Sequence, residues 1–140
     1  MKIVYLSKTE IEKEMAQVFI NKVNENPSCV LGLATGSSPI GIYQNMIKAY
    51  QEGKVSFKDV TTFNLDEYLG LDGNHDQSYR YFMNVNLFNH IDINKENTNV
   101  PSGFVKNDEE AALYDAKIAA AGGIDIQLLG LGSDGHIAFN

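Results

Sequence analysis

The sequence is poor in the residues that cross-link, break or export a chain. It has one cysteine, three prolines and no tryptophan among 140 residues. A single cysteine, Cys29, excludes an intrachain disulfide and fits a reducing compartment. The N-terminal run Met-Lys-Ile-Val-Tyr-Leu is too short for a signal-peptide core, and no apolar stretch approaches the length that spans a bilayer. These absences favour a cytoplasmic protein that does not bind a membrane.

Positive charge is scarce as well. Eleven lysines and arginines are scattered among 18 acidic residues, which gives a formal net charge of -7. Nucleic acids and anionic lipid surfaces select clusters of basic residues, so neither is expected as a partner. A small anion is still compatible with this charge, because backbone N–H groups at a helix start can hold a phosphate.

What the chain does contain suits one folded domain. With 44% hydrophobic and 21% charged residues, and with no low-complexity tract or internal repeat, it is expected to form a single α/β domain over residues 1–140. Short β-branched runs alternate with longer amphipathic runs. This pattern is typical of an open, Rossmann-like, mostly parallel sheet with helices on both faces.

The element boundaries follow from periodicity and caps. Strands are predicted over residues 3–6, 29–33, 60–64 and 124–129, and helices from Ser7 or Thr9 to Asn26, from Ser38 to Gly53, over 78–90 and over 108–121. The polar stretch that ends near Asn107 is predicted to be a surface connection. The inward faces of the first and third helices are predicted to carry Ile11, Met15, Val18, Phe19 and Val23, and Tyr81, Val85 and Phe88.

A strand, a glycine turn and a helix start follow one another in Leu-Gly-Leu-Ala-Thr-Gly-Ser-Ser-Pro, residues 31–39. Gly36 would let the backbone approach an anion, and Thr35, Ser37 and Ser38 supply hydroxyl donors. The sequence lacks the Gly-Lys-Ser/Thr of a Walker A loop. The segment therefore predicts either a phosphate site or an ordinary capped turn between a strand and a helix.

Two adjacent acids, Asp66 and Glu67, lie just past the third predicted strand. Because adjacent side chains diverge, they do not form an acid and base pair on one substrate atom. One of them can point into a cleft at the carboxyl end of the sheet, where α/β proteins bind ligands. There a carboxylate could take a proton from a carbon next to a carbonyl, although a solvated acidic turn fits the same letters.

The fourth predicted strand leads into a glycine-rich loop that carries Asp134 and His136. A carboxylate beside an imidazole orients the ring and raises its pKa, which produces a proton shuttle near neutral pH. The histidines at 75, 90 and 136 lack the close spacing of metal ligands, so no metal site is expected.

Together these three segments resemble the glucosamine-6-phosphate deaminase/isomerase family, and the resemblance covers essentially the whole chain. Residues 31–39 resemble its phosphate loop. Asn-Leu-Asp-Glu-Tyr-Leu-Gly-Leu at 64–71 resembles its acidic segment, and Leu-Gly-Leu-Gly-Ser-Asp-Gly-His-Ile-Ala-Phe-Asn at 129–140 resembles its histidine loop.

The resemblance implies a role for each matching residue. Asp66 corresponds to the base that moves the C2 proton, His136 to the group that opens the sugar ring, and Asp134 to the partner of that histidine. Candidates for substrate contact are Thr35, Gly36, Ser37, Ser38, Glu67 and Gly135. In the family a glutamate directly follows the position of Asn140, where this chain ends, so the sequence is expected to be the N-terminal part of such an enzyme.

The implied activity is deamination in amino-sugar catabolism. Glucosamine 6-phosphate and water become fructose 6-phosphate and ammonia, without a cofactor, and the partner is a small sugar phosphate bound by a possible homo-oligomer. Two alternatives stay open. One is a 6-phosphogluconolactonase, although Tyr68 stands where we expect arginine in that family; the other is a catalytically incomplete fragment that binds sugar phosphates.

Overall fold

A four-stranded parallel sheet lies at the centre of the computed structural model, which describes residues 1–65, 78–101 and 108–130. The spatial order of its strands is β3-β2-β1-β4. In chain order the elements are α1 (Lys8–Glu25), β1 (Val30–Leu33), α2 (Ile40–Gln51), β2 (Thr61–Asn64), α3 (Tyr79–Asn86), β3 (Thr98–Asn99), α4 (Asp108–Ala120) and β4 (Ile126–Gln127). The predicted α/β class with a parallel sheet is confirmed.

The two central strands hold the sheet together. Leu31 pairs with Thr62 and Leu33 with Asn64 across β1 and β2, and all four residues are buried. In a parallel ladder, residues in register project to the same face, so the two leucines share a face with Thr62 and Asn64. That face meets the main apolar cluster, to which Leu31 and Leu33 belong.

Helix α1 has the N-terminal cap that the sequence predicts, but only part of the predicted buried face. The Ser7 hydroxyl accepts a hydrogen bond from the Glu10 N–H, and the helix ends before Asn26. Ile11 and Val18 are exposed, which contradicts their predicted inward position. The 3.6-residue period leaves these two side chains outside the buried stripe. The buried residues of α1 are Ala16, Phe19, Ile20 and Val23.

Helix α2 begins one residue later than predicted. Its cap is Pro39, and no side chain bonds the first turn, so the predicted cap by Ser38 is wrong. Pro39 can take the cap position because its own missing N–H is not needed there, and its carbonyl accepts the Tyr43 N–H at 3.0 Å. The predicted stop at Gly53 is confirmed, since this glycine has a φ of 74°.

The N-terminal residues do not form the predicted strand over 3–6. They have no regular structure, and Ile3 and Tyr5 are 64% and 91% exposed. A strand is stable only when a neighbour shares its hydrogen bonds, and no strand of the described sheet pairs with this segment. Apolar composition alone is therefore insufficient to make this segment a strand.

The edge strands also differ from the prediction. The segment predicted as a surface connection contains β3, whose two buried residues, Thr98 and Asn99, pair with Thr62 and Phe63 of β2. Two polar residues give no strand pattern in the sequence, so only the pairing reveals them. Strand β4 is confirmed, but it covers two residues instead of six.

In the third helix the predicted start is confirmed but the predicted inward face only in part, whereas in the fourth helix both predicted ends are confirmed. Ser78 caps α3 through the Tyr81 N–H, yet Tyr81 and Val85 are exposed and Met83 is buried in their place. The predicted burial of Phe88 is confirmed, in a short 3-10 helix at Phe88–His90 that follows α3. The acidic start of α4 is confirmed at Asp108–Ala120, as is its end before two glycines of positive φ.

Candidate functional site

The turn after β1 has the backbone that a close approach to an anion requires. Gly36 has a φ of 98°, a conformation that favours glycine. A Cβ at this position would meet no atom within 4 Å, so the conformation, and not crowding, requires glycine. Thr35 is half-buried, and Ser37 and Ser38 are exposed. The four predicted residues thus form an accessible turn with three hydroxyl groups.

The start of α2 faces the same turn with unpaired backbone N–H groups. The first hydrogen bond within the helix runs from the Tyr43 N–H to the Pro39 carbonyl, and no side chain caps the preceding N–H groups. Free N–H groups and the positive end of the helix dipole together favour an anion. The failed prediction of Ser38 as a cap therefore leaves both its hydroxyl and these N–H groups available.

A buried tyrosine fixes the turn to the helix that follows it. Tyr43 is 0% exposed, and its hydroxyl accepts from the Ala34 N–H at 3.0 Å while donating to the Ala34 carbonyl at 2.5 Å. Burial raises the pKa of Tyr43 above its ordinary value, so the hydroxyl stays protonated. The sequence analysis did not identify this role; the available signal was that a buried tyrosine hydroxyl needs a partner.

A cavity of about 610 Å³ opens beside the turn. It joins three of the four predicted phosphate-loop residues to the end of β4, where the third motif begins. The lining residues are Lys8, Ile11, Glu12, Met15, Ala34, Thr35, Ser37, Ser38, Pro39, Ile42, Leu128, Leu129 and Gly130. Gly36 contributes its backbone turn but does not line the cavity.

Two charged residues of α1, Lys8 and Glu12, line this cavity and were missed by the sequence analysis. The Glu12 carboxylate packs against Gly41 in the first turn of α2, where an added Cβ would lie 2.1–2.5 Å from the carboxylate atoms. A negative charge near a helix start is electrostatically favourable. On the sequence alone, both residues read as part of a solvated helix surface, so no local signal distinguishes them.

The carboxyl end of β2 lies one strand away from the turn. Asn64, its last residue, is 0% exposed and is in register with Leu33, which directly precedes Ala34. From α4, the Tyr114 hydroxyl bonds the carbonyls of Asn64 and Asn99 and so ties two strand ends together. The Tyr114 ring meets Phe63 edge-on at 5.8 Å.

The predicted proton-transfer residues, Asp66, Asp134 and His136, lie outside the described residues. So do two of the predicted substrate contacts, Glu67 and Gly135. The structure therefore brings together the phosphate loop and the strand ends that lead towards these residues, and the roles of the five stay predictions.

Other reactive groups in the described part have structural surroundings. Cys29 is buried, and burial raises the pKa of its thiol. His90 is exposed, and its Nε2 lies 2.7 Å from the Val85 carbonyl. Among residues 1–65, 78–101 and 108–130, no group of three or more histidine, cysteine or acidic residues is placed to hold a metal ion. Nor does this part include a helix long and apolar enough to cross a membrane.

Comparison with known proteins gives a family match over almost the whole chain. Residues 7–139 match the family model of glucosamine-6-phosphate isomerases and 6-phosphogluconolactonases. The chain is 57% identical over 132 residues to a glucosamine-6-phosphate deaminase of Clostridium perfringens, covering 94% of this chain and 54% of that protein. A deaminase of Shewanella woodyi is 56% identical, with 100% and 54% covered. The chain spans about half the length of the curated relatives it matches.

Solved structures agree with this assignment. A monomeric glucosamine-6-phosphate deaminase superposes with a TM-score of 0.94 at 38% identity, covering 99% of this chain and 58% of that one. A 6-phosphogluconolactonase of Thermotoga maritima superposes with a TM-score of 0.75 at 22% identity, covering 98% and 62%. The second likeness shows a common fold only.

Proposed function

Because the chain belongs to the family of glucosamine-6-phosphate isomerases and 6-phosphogluconolactonases, we propose that it acts in a glucosamine-6-phosphate deaminase. The reaction converts glucosamine 6-phosphate and water to fructose 6-phosphate and ammonia. The relatives' names support deamination of an amino-sugar phosphate; the consumption of water, which makes the reaction hydrolytic, is part of the proposal.

The observation that carries the proposal is the cavity beside the turn after β1. There Thr35, Ser37 and Ser38 meet an uncapped helix start, and the same cavity reaches the strand end that leads to the histidine loop. A phosphate bound at the turn would anchor the substrate, so that its binding energy serves to orient the reacting carbons. The net charge of -7 is compatible with this, because backbone and hydroxyl donors supply the contacts.

The chemistry at C1 and C2 is assigned from the sequence motifs. In this proposal His136, with Asp134 as its partner, opens the ring, and Asp66 takes the C2 proton. The proton is delivered at C1 through an enolamine, and water replaces the nitrogen, which leaves as ammonia. Glu67 and Gly135 are assigned to substrate contact. Positioned carboxylate and imidazole groups suffice for these transfers, so the proposal includes no cofactor.

The alternatives are weaker but distinct. A lactonase would share the fold. The sequence identity to the Thermotoga maritima lactonase is 22%, however, whereas the identity to relatives named as deaminases reaches 57%. Tyr68 after Asp66 and Glu67 also favours the deaminase motif over the lactonase motif. A binding fragment without turnover is the second alternative. A cytoplasmic location and assembly into a homo-oligomer stay predictions.

The base at Asp66 separates these alternatives by experiment. In the protein expressed from its complete gene, Asp66→Asn keeps the side-chain shape but removes the base, so turnover should fall by about 10²–10⁴-fold with substrate binding largely kept. Exchange of the C2 proton of glucosamine 6-phosphate with deuterium from solvent should fall in parallel.

The matched control is Asp59→Asn, which neutralises an exposed acid before β2 and should leave exchange unchanged. Wild-type exchange in the Asp66→Asn protein would remove Asp66 as the base. Hydrolysis of 6-phosphogluconolactone by the wild-type protein, without C2 exchange on the amino sugar, would support the lactonase instead.

A further inference from the structure

The side chain of Asn64 is buried without a partner. It is 0% exposed, and neither its Oδ1 nor its Nδ2 makes a hydrogen bond; within the described residues, Thr62 Oγ1 and Asn84 Oδ1 are the only other buried side-chain atoms in this state. The large majority of buried side-chain polar atoms in folded proteins are paired, so each exception calls for an explanation.

The backbone of Asn64 is paired, so it does not explain why the side chain is left without a partner. Its carbonyl accepts from the Tyr114 hydroxyl, and its pairing with Leu33 keeps β2 in register with β1. Because Asn64 projects to the same face as the core leucines, an apolar side chain would suit the fold better. Fold stability alone does not account for an amide at this position.

Asn99, on the neighbouring strand β3, provides an internal comparison. It is also buried, but its Nδ2 donates to the Thr62 carbonyl at 3.0 Å and so links β3 to β2. One buried asparagine therefore stabilises the sheet, whereas the other, at the carboxyl end of β2, is left with open hydrogen-bonding capacity. A catalytic role is one of the recognised explanations for a buried polar group that is left unpaired.

The position of Asn64 suggests that function. It lies beside the end of β1, from which the phosphate loop starts, and it precedes Asp66 by two residues in the sequence. The carboxyl edge of a parallel sheet is where ligands bind in α/β proteins.

We propose that Asn64 is a positioning residue for the proton transfer: its amide hydrogen-bonds at the carboxyl end of β2 when substrate is bound and so orients the acid at Asp66. This inference rests on the proposed deaminase function. It assigns Asn64 no contact with the reacting atoms, since the side chain is fully buried.

The test replaces the amide by an apolar group of similar size, Asn64→Leu, in the protein expressed from its complete gene. Removing an unpaired buried amide should leave the melting temperature equal to or above that of the wild type. Turnover should nevertheless fall between about tenfold and 10²-fold, because small misplacements of a catalytic group have effects of this size. The KM for glucosamine 6-phosphate should change less than twofold, and C2 exchange with deuterium should fall with turnover.

Thr62→Val is the matched control. It removes the other unpaired polar group on the same face of β2, two residues further from Asp66, and should raise stability without changing turnover. If Asn64→Leu fails to fold, Asn64→Ala removes the same amide without adding volume and should show the same loss of turnover at an unchanged KM.

Two results overturn the inference and differ from each other. Wild-type turnover and exchange in a folded Asn64→Leu or Asn64→Ala protein reject the role of Asn64 while the deaminase function stands. Absence of C2 exchange in the wild-type protein itself rejects the proposed function, and the role of Asn64 with it.

Discussion

At the end of β1, both backbone polar groups of Ala34 bond to the hydroxyl of Tyr43, whereas at the end of β2 the buried side chain of Asn64 has no partner. The two strands are neighbours in register, so their ends meet the same edge of the sheet. At one end the protein satisfies its own groups and presents a rigid turn. At the other end it leaves hydrogen-bonding groups without partners. Exceptions of this kind to the rules of stable folding are expected at functional sites.

A tyrosine hydroxyl bonds the backbone at each of these two strand ends. The Tyr43 hydroxyl bonds the N–H and the carbonyl of one residue, Ala34, and the Tyr114 hydroxyl bonds the carbonyls of Asn64 and Asn99. A buried N–H is rarely left unpaired, whereas a carbonyl tolerates partial satisfaction better. The hydroxyl at the phosphate loop should therefore be worth more than the hydroxyl at the end of β2.

The largest stability effect is expected from Tyr43→Phe. Loss of this hydroxyl leaves both backbone polar groups of the half-buried Ala34 unpaired, and the free energy of unfolding should fall by about 2–3 kcal/mol. Tyr114→Phe should cost only about 1 kcal/mol. Chemical denaturation measures both. As the control, Tyr50→Phe in α2 removes a hydroxyl with no described hydrogen bond and should stay within about 0.5 kcal/mol. Equal losses for Tyr43 and Tyr114 would contradict the ranking.

Gly36→Val tests whether the turn after β1 binds the phosphate. Valine at a φ of 98° should cost roughly 1–2 kcal/mol of stability. Gly53→Val is a close control, because Gly53 has a φ of 74° and equally open space for a Cβ, but lies beyond the end of α2. Calorimetry should show loss of glucosamine 6-phosphate binding for Gly36→Val only. If both variants bind like the wild type, the turn after β1 is not the phosphate site.

The smallest effect is a pH dependence from Tyr43. Its pKa is raised in the folded state by burial, so the protonated hydroxyl favours folding fully below the ordinary tyrosine pKa of about 10. Above that pH the unfolded state loses the proton while the folded state keeps it. Stability should then fall by up to about 1.4 kcal/mol per pH unit.

The Tyr43→Phe protein lacks this titration and isolates it. Its unfolding free energy should decline less between pH 10 and 11 than that of the wild type, when denaturation is followed at fixed temperature. Parallel curves for the two proteins would mean that Tyr43 ionises as readily in the folded state as in the unfolded state.

Elements whose causes are local could be predicted from the sequence. Ser7 caps α1 and Gly53 ends α2 because a hydroxyl and a left-handed turn act within a few residues. Alternating strand and helix patterns were enough for the α/β class. The glycine at position 36 was identified for the same local reason, since the turn needs its conformation.

Features that depend on a partner distant in sequence are set by the fold and could not be predicted in this way. The segment over 3–6 is apolar enough for a strand but has no described neighbour, and β3 is a strand only because Thr98 and Asn99 pair with β2. The place of Glu12 in the cavity depends on the packing of α1 against α2. Hydrogen-bond satisfaction is also set by such contacts, so two asparagines that look alike in sequence, Asn64 and Asn99, have opposite states in the fold.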